Sequence, residues 1–336
     1  MFTYHISHPQ VKAFLLSGSN SIQLNESGSM IVNDVRVEDN VSYLDAVIDE
    51  KYLLFTREKT HQVFDLVNQS TMAHTASSLR MCSCYNNTIV GSSDRTLHPS
   101  GVGFKAKFHL MSFPTLNVLK TLAFDEMGNC TRVGDILIFE HSQIITAISL
   151  STEEVLWDVP FGKVLKMLMV VDSILWMQVN LNSKYSVIKG IKIETGSIVD
   201  DFNGVACPGY AITIVSQDDG QVFISNNDNS FLQLDVQKKT VSRSGIIESL
   251  DGVNMNLVGA TLCDDCLYFS ASHGKLKGGN TIGVLDFKTL EMLWSTKLPT
   301  DATGFIGIGI APIVGKNNLY ILDSNNLLHN FKRTAL

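Results

Sequence analysis

The chain has 336 residues, of which 45% are hydrophobic and 18% charged, with a formal charge of −7 from 26 Lys plus Arg against 33 Asp plus Glu. That composition supplies a large core and excludes global disorder. The acidic balance argues against a general nucleic-acid binder or an anionic-membrane binder, either of which needs a basic footprint, although it leaves room for a local basic patch.

The opening residues, MFTYHISHPQ, lack a charged segment leading into an apolar stretch, so no signal peptide is expected. No run reaches the ~18 apolar residues of a membrane span. The nearest, residues 164–179, contains Lys166 and Asp172 and reads as two strands joined at a Val171-Asp172 turn. Six cysteines without a secretory signal predict free thiols in a reducing, cytoplasmic setting.

One unit recurs along the chain: an apolar alternating strand, a turn, and a short strand that sometimes ends in Trp. The clear copies run over residues 147–157, closing on Trp157, over 190–199, and over 284–294, closing on Trp294. Weaker copies turn near Gly28, Asn68, Thr115, Lys238 and Asn325. With Thr152, Thr195 and Thr289 these turns recur roughly every forty residues, the period of a propeller blade. Two more strand-like runs precede such hairpins, as at 211–216 with 221–225 and at 257–262 with 266–270. Each unit is therefore a four-stranded antiparallel blade, with strands A to D from the inside outward, and blades must stack in a ring to bury their faces. No stretch over about ten residues has helical spacing.

The fold class predicted is all-β, a β-propeller forming a single domain over residues 1–336. Eight turns give eight blades; seven result if the Gly28 turn belongs to an N-terminal decoration. The last blade has only three strands, at 304–314, 318–324 and 326–332, and a segment near Phe2 to His5 is expected to supply the fourth and close the ring.

Leu285, Asp286, Thr289 and Trp294 in one hairpin resemble the PQQ-like repeat of quinoprotein-type propellers. Leu150, Thr152 and Trp157 match in a second blade, Thr195 with Gly196 in a third, and Leu234-Asp235 matches the start alone. The resemblance implies that Trp157 and Trp294 dock between neighbouring blades. It implies a fold and no quinone cofactor, since the family holds dehydrogenases and assembly scaffolds alike.

No catalytic or metal motif stands out. Cys263-Asp264-Asp265-Cys266 has the spacing of half a zinc site or a redox pair, but its second pair would be Cys82-Ser83-Cys84 in a distant blade, so fillers flanking a turn explain it better. The pairs Asp200-Asp201, Asp218-Asp219 and Asp264-Asp265 read as turns. Gly307-Ile308-Gly309 is assigned to an inner strand where Gly lets blades converge. Neither a metal nor another cofactor is expected.

Two B-to-C connections are long and Gly-rich: residues 92–105, with Arg95, His98 and Lys105 against Asp94, and residues 272–280, with His273, Lys275 and Lys277. Both are basic in an acidic protein, and both belong to one face. They are candidates for a partner-binding rim; the competing reading is unselected insertions carrying Lys for solubility. The function expected is a non-enzymatic, protein-binding propeller, a scaffold or an inhibitor of the immunity type, taking an acidic protein and neither nucleic acid nor membrane. The alternative is a hydrolase or lyase with its site in the central funnel. That alternative needs titratable residues on inner strands, and the segments 304–314 and 256–262 are apolar or small.

Overall fold

A computed structural model describes residues 2–75, 78–79, 87–97, 104–122, 130–141, 143–182, 184–199, 202, 205–208, 212–216, 219–226, 230–248, 255–272, 279–298, 306–307 and 310–334. Among these residues there is no helix. The strands form eight antiparallel sheets, each a blade of a β-propeller. Blade 1 runs from Val11–Ser17 to Val35–Glu38, blade 2 from Val41–Ile48 to Ser70–Thr75, and blade 3 from Ser78–Leu79 to Val118–Thr121. Blades 4 to 7 begin with Cys130–Val133, Val164–Val171, Ile212–Ser216 and Asn256–Cys263. Blade 8 takes Ile313–Val314, Asn318–Leu322 and Leu328–Arg333 from the C-terminal end, and its outer strand is Phe2–His8, paired with Leu328–Arg333.

The core consists of eight wedges, one between each pair of neighbouring blades. Ile22, Leu24 and Met30 of blade 1 meet Leu53, Phe55 and Phe64 of blade 2, and corresponding clusters follow around the ring. The eighth wedge joins blade 8 to blade 1 through Leu328, Val11 and Phe14. This is why each blade's sequence reads as alternating but nearly continuous apolar runs: both faces of every sheet are covered.

Trp157 and Trp294 are each 9% exposed. Trp157 leaves blade 4 and donates from Nε1 to the Ile193 carbonyl of blade 5 at 2.8 Å. Trp294 leaves blade 7 and packs against Phe331 and Phe2 of blade 8, with ring centroids 6.0 and 5.5 Å away. The apolar run at 164–179 is two strands, Val164–Val171 and Ile174–Asn180, and its turn residues Asp172 and Ser173 both have positive φ, the type I′ geometry that suits a tight hairpin.

Several expectations are corrected. In blade 1 the C-to-D turn is Asn33-Asp34, both at positive φ, while Gly28 lies in the B-to-C connection. Among the described residues of the segment 304–314, only Ile313–Val314 form a strand. Ile310 and Pro312 lie against blade 7, where Ser270 Oγ donates to Ile310 O at 2.7 Å and Thr261 Oγ1 to Pro312 O at 2.7 Å. The glycine that permits this approach is Gly259, not Gly307: a Cβ at Gly259 would sit 2.1 Å from Ile310 O. Finally, Cys130 is disulfide-bonded, whereas Cys207, Cys263 and Cys266 are free. Disulfides are typical of oxidising compartments, so the prediction of free thiols fails at Cys130.

Candidate partner-binding mouth

In every blade the A-to-B and C-to-D turns emerge on one face of the ring, and the B-to-C and D-to-A connections on the other. The two basic segments fall in blades 3 and 7, each between the second and third strands. They are therefore topologically equivalent and four blades apart. His98, His273, Lys275 and Lys277 lie outside the described residues. Arg95 and Lys105 lie on strands, because the blade 3 hairpin is longer than its sequence suggests: Thr88–Leu97 pairs with Phe104–Ser112 out to Leu97↔Phe104. A bulge between Ser93 and Thr96 interrupts that ladder, so Asp94 and Arg95 oppose Ala106 alone. In blade 7 the end of the segment is tied down, since Gly279 and Ile306 exchange backbone hydrogen bonds of 2.9 and 2.7 Å.

The end of the ring from which the B-to-C connections leave is lined by the beginnings of the inner strands, and here sequence reasoning missed two cations. Lys12, in the inner strand of blade 1, donates from Nζ to Ser42 O of blade 2 at 2.9 Å and lies 5.0 Å from the ring centre of Tyr43, which is 62% exposed. Lys166, in the inner strand of blade 5, donates to Thr213 O of blade 6 at 2.8 Å. The residue as a whole is exposed, yet partial burial of its ammonium lowers its pKa from the ordinary lysine value. The inner strands also carry Asp45 and Arg132. The expectation of apolar or small inner strands holds for the 256–262 segment but not for blades 1, 2, 4 and 5. The signal was available: a Lys at the start of an otherwise apolar inner strand.

Three histidines sit in cross-strand hydrogen-bond chains. In blade 2, Thr56 Oγ1 donates to Asp45 Oδ2 at 3.0 Å and lies 3.2 Å from His61 Nδ1. In blade 4, Thr146 Oγ1 donates to Asp158 Oδ1 at 2.6 Å and lies 2.8 Å from His141 Nε2. In blade 3, His109 is bonded to Ser93 Oγ at 2.7 Å and Thr121 Oγ1 at 3.0 Å. A hydroxyl next to an imidazole suggests a nucleophile, but each chain links strands of its own blade. Thr146 and His109 are buried, and the group orienting His109 is another hydroxyl rather than a carboxylate.

The opposite face carries a cleft of about 420 Å³ between blades 6 and 7, lined by Gln221, Gln233, Asp235, Lys238, Arg243 and Lys288. Its charges are internally engaged: Lys238 with Asp235, Lys288 with Asp265, and Arg243 with Gln233 and the Phe287 carbonyl. The free thiols are poor nucleophiles. Burial pushes Cys207 up to about 11, and burial together with neighbouring carboxylates raises Cys263 and Cys266. Cys263 and Cys266 face each other across the Asp264-Asp265 turn, and among the described residues no group of three or more His, Cys, Asp or Glu is placed to hold a metal.

No family model and no curated protein sequence matches the chain. Among solved structures it is similar to the computationally designed Ika8 protein, with a TM-score of 0.63, 12% identity and 98% of each chain covered. It is similar to Sqt1 of Saccharomyces cerevisiae, with a TM-score of 0.61, 8% identity, and 99% of this chain and 98% of that one covered. It is also similar to BamB of Moraxella catarrhalis, with a TM-score of 0.57, 12% identity, and 99% of this chain and all of that one covered. At these identities the likeness establishes the propeller fold alone.

Proposed function

We propose that this chain is a non-enzymatic propeller of PQQ-like repeat type that presents its B-to-C mouth to an acidic protein. The observation that carries the reading is the equivalence of the two basic connections, which belong to one face and stand four blades apart in blades 3 and 7. A partner that bridges both gains from two anchored contacts at once. The histidine chains support a binding rather than a catalytic role, because each links strands within its own blade instead of converging with the others on a shared cavity. The alternative, a hydrolase or lyase acting in the funnel, draws support from Asp45, Lys12 and Lys166 on inner strands.

The test is charge reversal of Arg95, Lys105, Lys275 and Lys277 to Glu, after capture of the partner from the native host. Rim charges mainly set association rate and its salt dependence. The reversed protein is expected to keep its melt and to associate several-fold more slowly at low salt. An unchanged association rate refutes the rim.

A further inference from the structure

We propose that the funnel mouth takes a carboxylate-rich segment of the partner between Lys12 and Lys166. This rests on the reading of the mouth as the partner-binding face, and it identifies what enters it. Lys12 and Lys166 start from the inner strands of blades 1 and 5, four blades apart, and each reaches the backbone carbonyl of the next blade's inner strand. Their attachment positions correspond: Lys12 is the second residue of its strand and Lys166 the third, and Ser42 and Thr213 are each the second. All four belong to the end of the funnel from which the B-to-C connections emerge.

An ammonium has three N–H donors, and each of these lysines spends one on a carbonyl, which fixes its position and leaves the others for a ligand. Neither has a carboxylate partner among the described residues. Asp45, the only acid on the described inner strands, is engaged by Thr56 and lies 3.5 Å from His61. Arg132 is tied nearer the opposite end, to Gly134 O and Thr88 Oγ1. The inner strands thus carry Lys12, Arg132 and Lys166 against Asp45, a positive balance within a chain of net charge −7. A cleft lined by one sign of charge, with low-dielectric walls, focuses its field on the mouth.

The occupant is an acidic peptide rather than a free small anion for a geometric reason. The two ammoniums stand on opposite sides of the funnel, so one small anion meets only one of them, whereas an extended run of carboxylates meets both. The experiment uses a fluorescein-labelled hexaglutamate peptide and full-length protein, read by fluorescence anisotropy at low salt, with inorganic phosphate as the rival ligand. Lys12→Met and Lys166→Met keep the aliphatic stems, and thermal melts confirm that each variant folds.

Each single variant is expected to weaken the peptide about threefold and the pair about tenfold. Lys166→Arg is expected to restore most of the loss. Unchanged peptide affinity in the folded double variant overturns the proposal, as does phosphate binding to a protein that ignores the peptide. Peptide binding lost only on reversing Arg95, Lys105, Lys275 and Lys277 also overturns it, while leaving the rim reading intact. Loss in the lysine variants with the rim-reversed protein unaffected supports the funnel and counts against the rim.

Discussion

Trp157 gives a direct measure of how the blades are held together. Its indole is buried among Ile138, Ile145 and Ala147 of its own blade and Leu175, Met177 and Ile191 of the next, and its Nε1 donates to Ile193 O. Truncation to Ala removes this packing and orphans a buried carbonyl, a loss of about 3–5 kcal/mol. Trp157→Phe keeps most of the ring and loses the hydrogen bond, worth about 1 kcal/mol. For a chain of this length the Ala variant's melting temperature should fall by about 4–7 °C. A second substitution isolates the contact. Gly196 has φ +69°, and a Cβ there would stand 2.8 Å from Trp157 Cδ2. Gly196→Ala therefore carries two costs, left-handed strain of about 1–2 kcal/mol and a clash with the indole. In the Trp157→Ala background the clash disappears and only the strain remains, so the double variant should be more stable than the sum of the singles predicts. The assay is a denaturant melt of all four proteins followed by far-UV circular dichroism. Strict additivity, or a Trp157→Ala loss under about 1 kcal/mol, refutes the docking account.

Phe2→Ala should cost about 3–5 kcal/mol, because Phe2 is the buried residue of the closing strand and packs on Tyr268 and Trp294; an unchanged melt refutes this. Thiol titration of the denatured, unreduced protein should find fewer than the six cysteines reactive, rising to six after reduction, and six before reduction would show that Cys130 is not cross-linked. Asp65 and Asp286 are held below the ordinary carboxylate pKa, first by the backbone N–H groups of Asn68 and Thr289 respectively. Their stabilisation is therefore complete above the unfolded pKa of about 3.9 and is lost as pH falls through the lower native value, so Asp65→Asn with Asp286→Asn should flatten the acid limb of the stability curve.

Much of the fold was legible because the physics is local. The 164–179 run announced a turn: Lys166 and Asp172 do not suit a membrane span, and the expected Val171-Asp172 turn lies one residue before the Asp172-Ser173 pair that takes positive φ. The same logic erred at Gly28, where Asn33-Asp34 was the better turn signal, since short polar side chains also tolerate left-handed backbone. Residues 304–314 look like a strand through their alternation, but Pro312 cannot donate to a ladder. Hydroxyls of Ser270 and Thr261 satisfy the carbonyls of Ile310 and Pro312 instead. Such tertiary capture across the bare Cα of Gly259 leaves no trace in periodicity. At the mouth, the charges of the long connections were readable as composition. Lys12 and Lys166 were readable only as a Lys near the start of an apolar strand, a signal that gains its meaning once the ring brings opposite blades around one axis.

Ring closure follows from where the chain is and is not continuous. Each blade passes to the next through a D-to-A connection, and this includes blade 8 to blade 1, because the outer strand Phe2–His8 continues through Pro9 and Gln10 into Val11–Ser17. Among the described residues the wedge between those blades has the fewest buried apolar side chains of the eight, yet it is spanned by covalent chain. It is also pinned by Val11 N donating to Asn326 O at 2.9 Å and by Asn326 Nδ2 donating to Glu26 Oε1 at 2.5 Å. The one junction without chain continuity lies inside blade 8, between Phe2–His8 and Leu328–Arg333, where a backbone ladder replaces a turn. A two-stranded ladder is marginal by itself. Along Phe2–His8 the burial is concentrated at Phe2, with the next four residues exposed. The closing strand is thus fastened at its far end, where Phe2 enters the wedge between blades 7 and 8 rather than the one between 8 and 1. The same wedge that receives Trp294 therefore holds the free end of the closing strand and sets the resistance to opening of the ring.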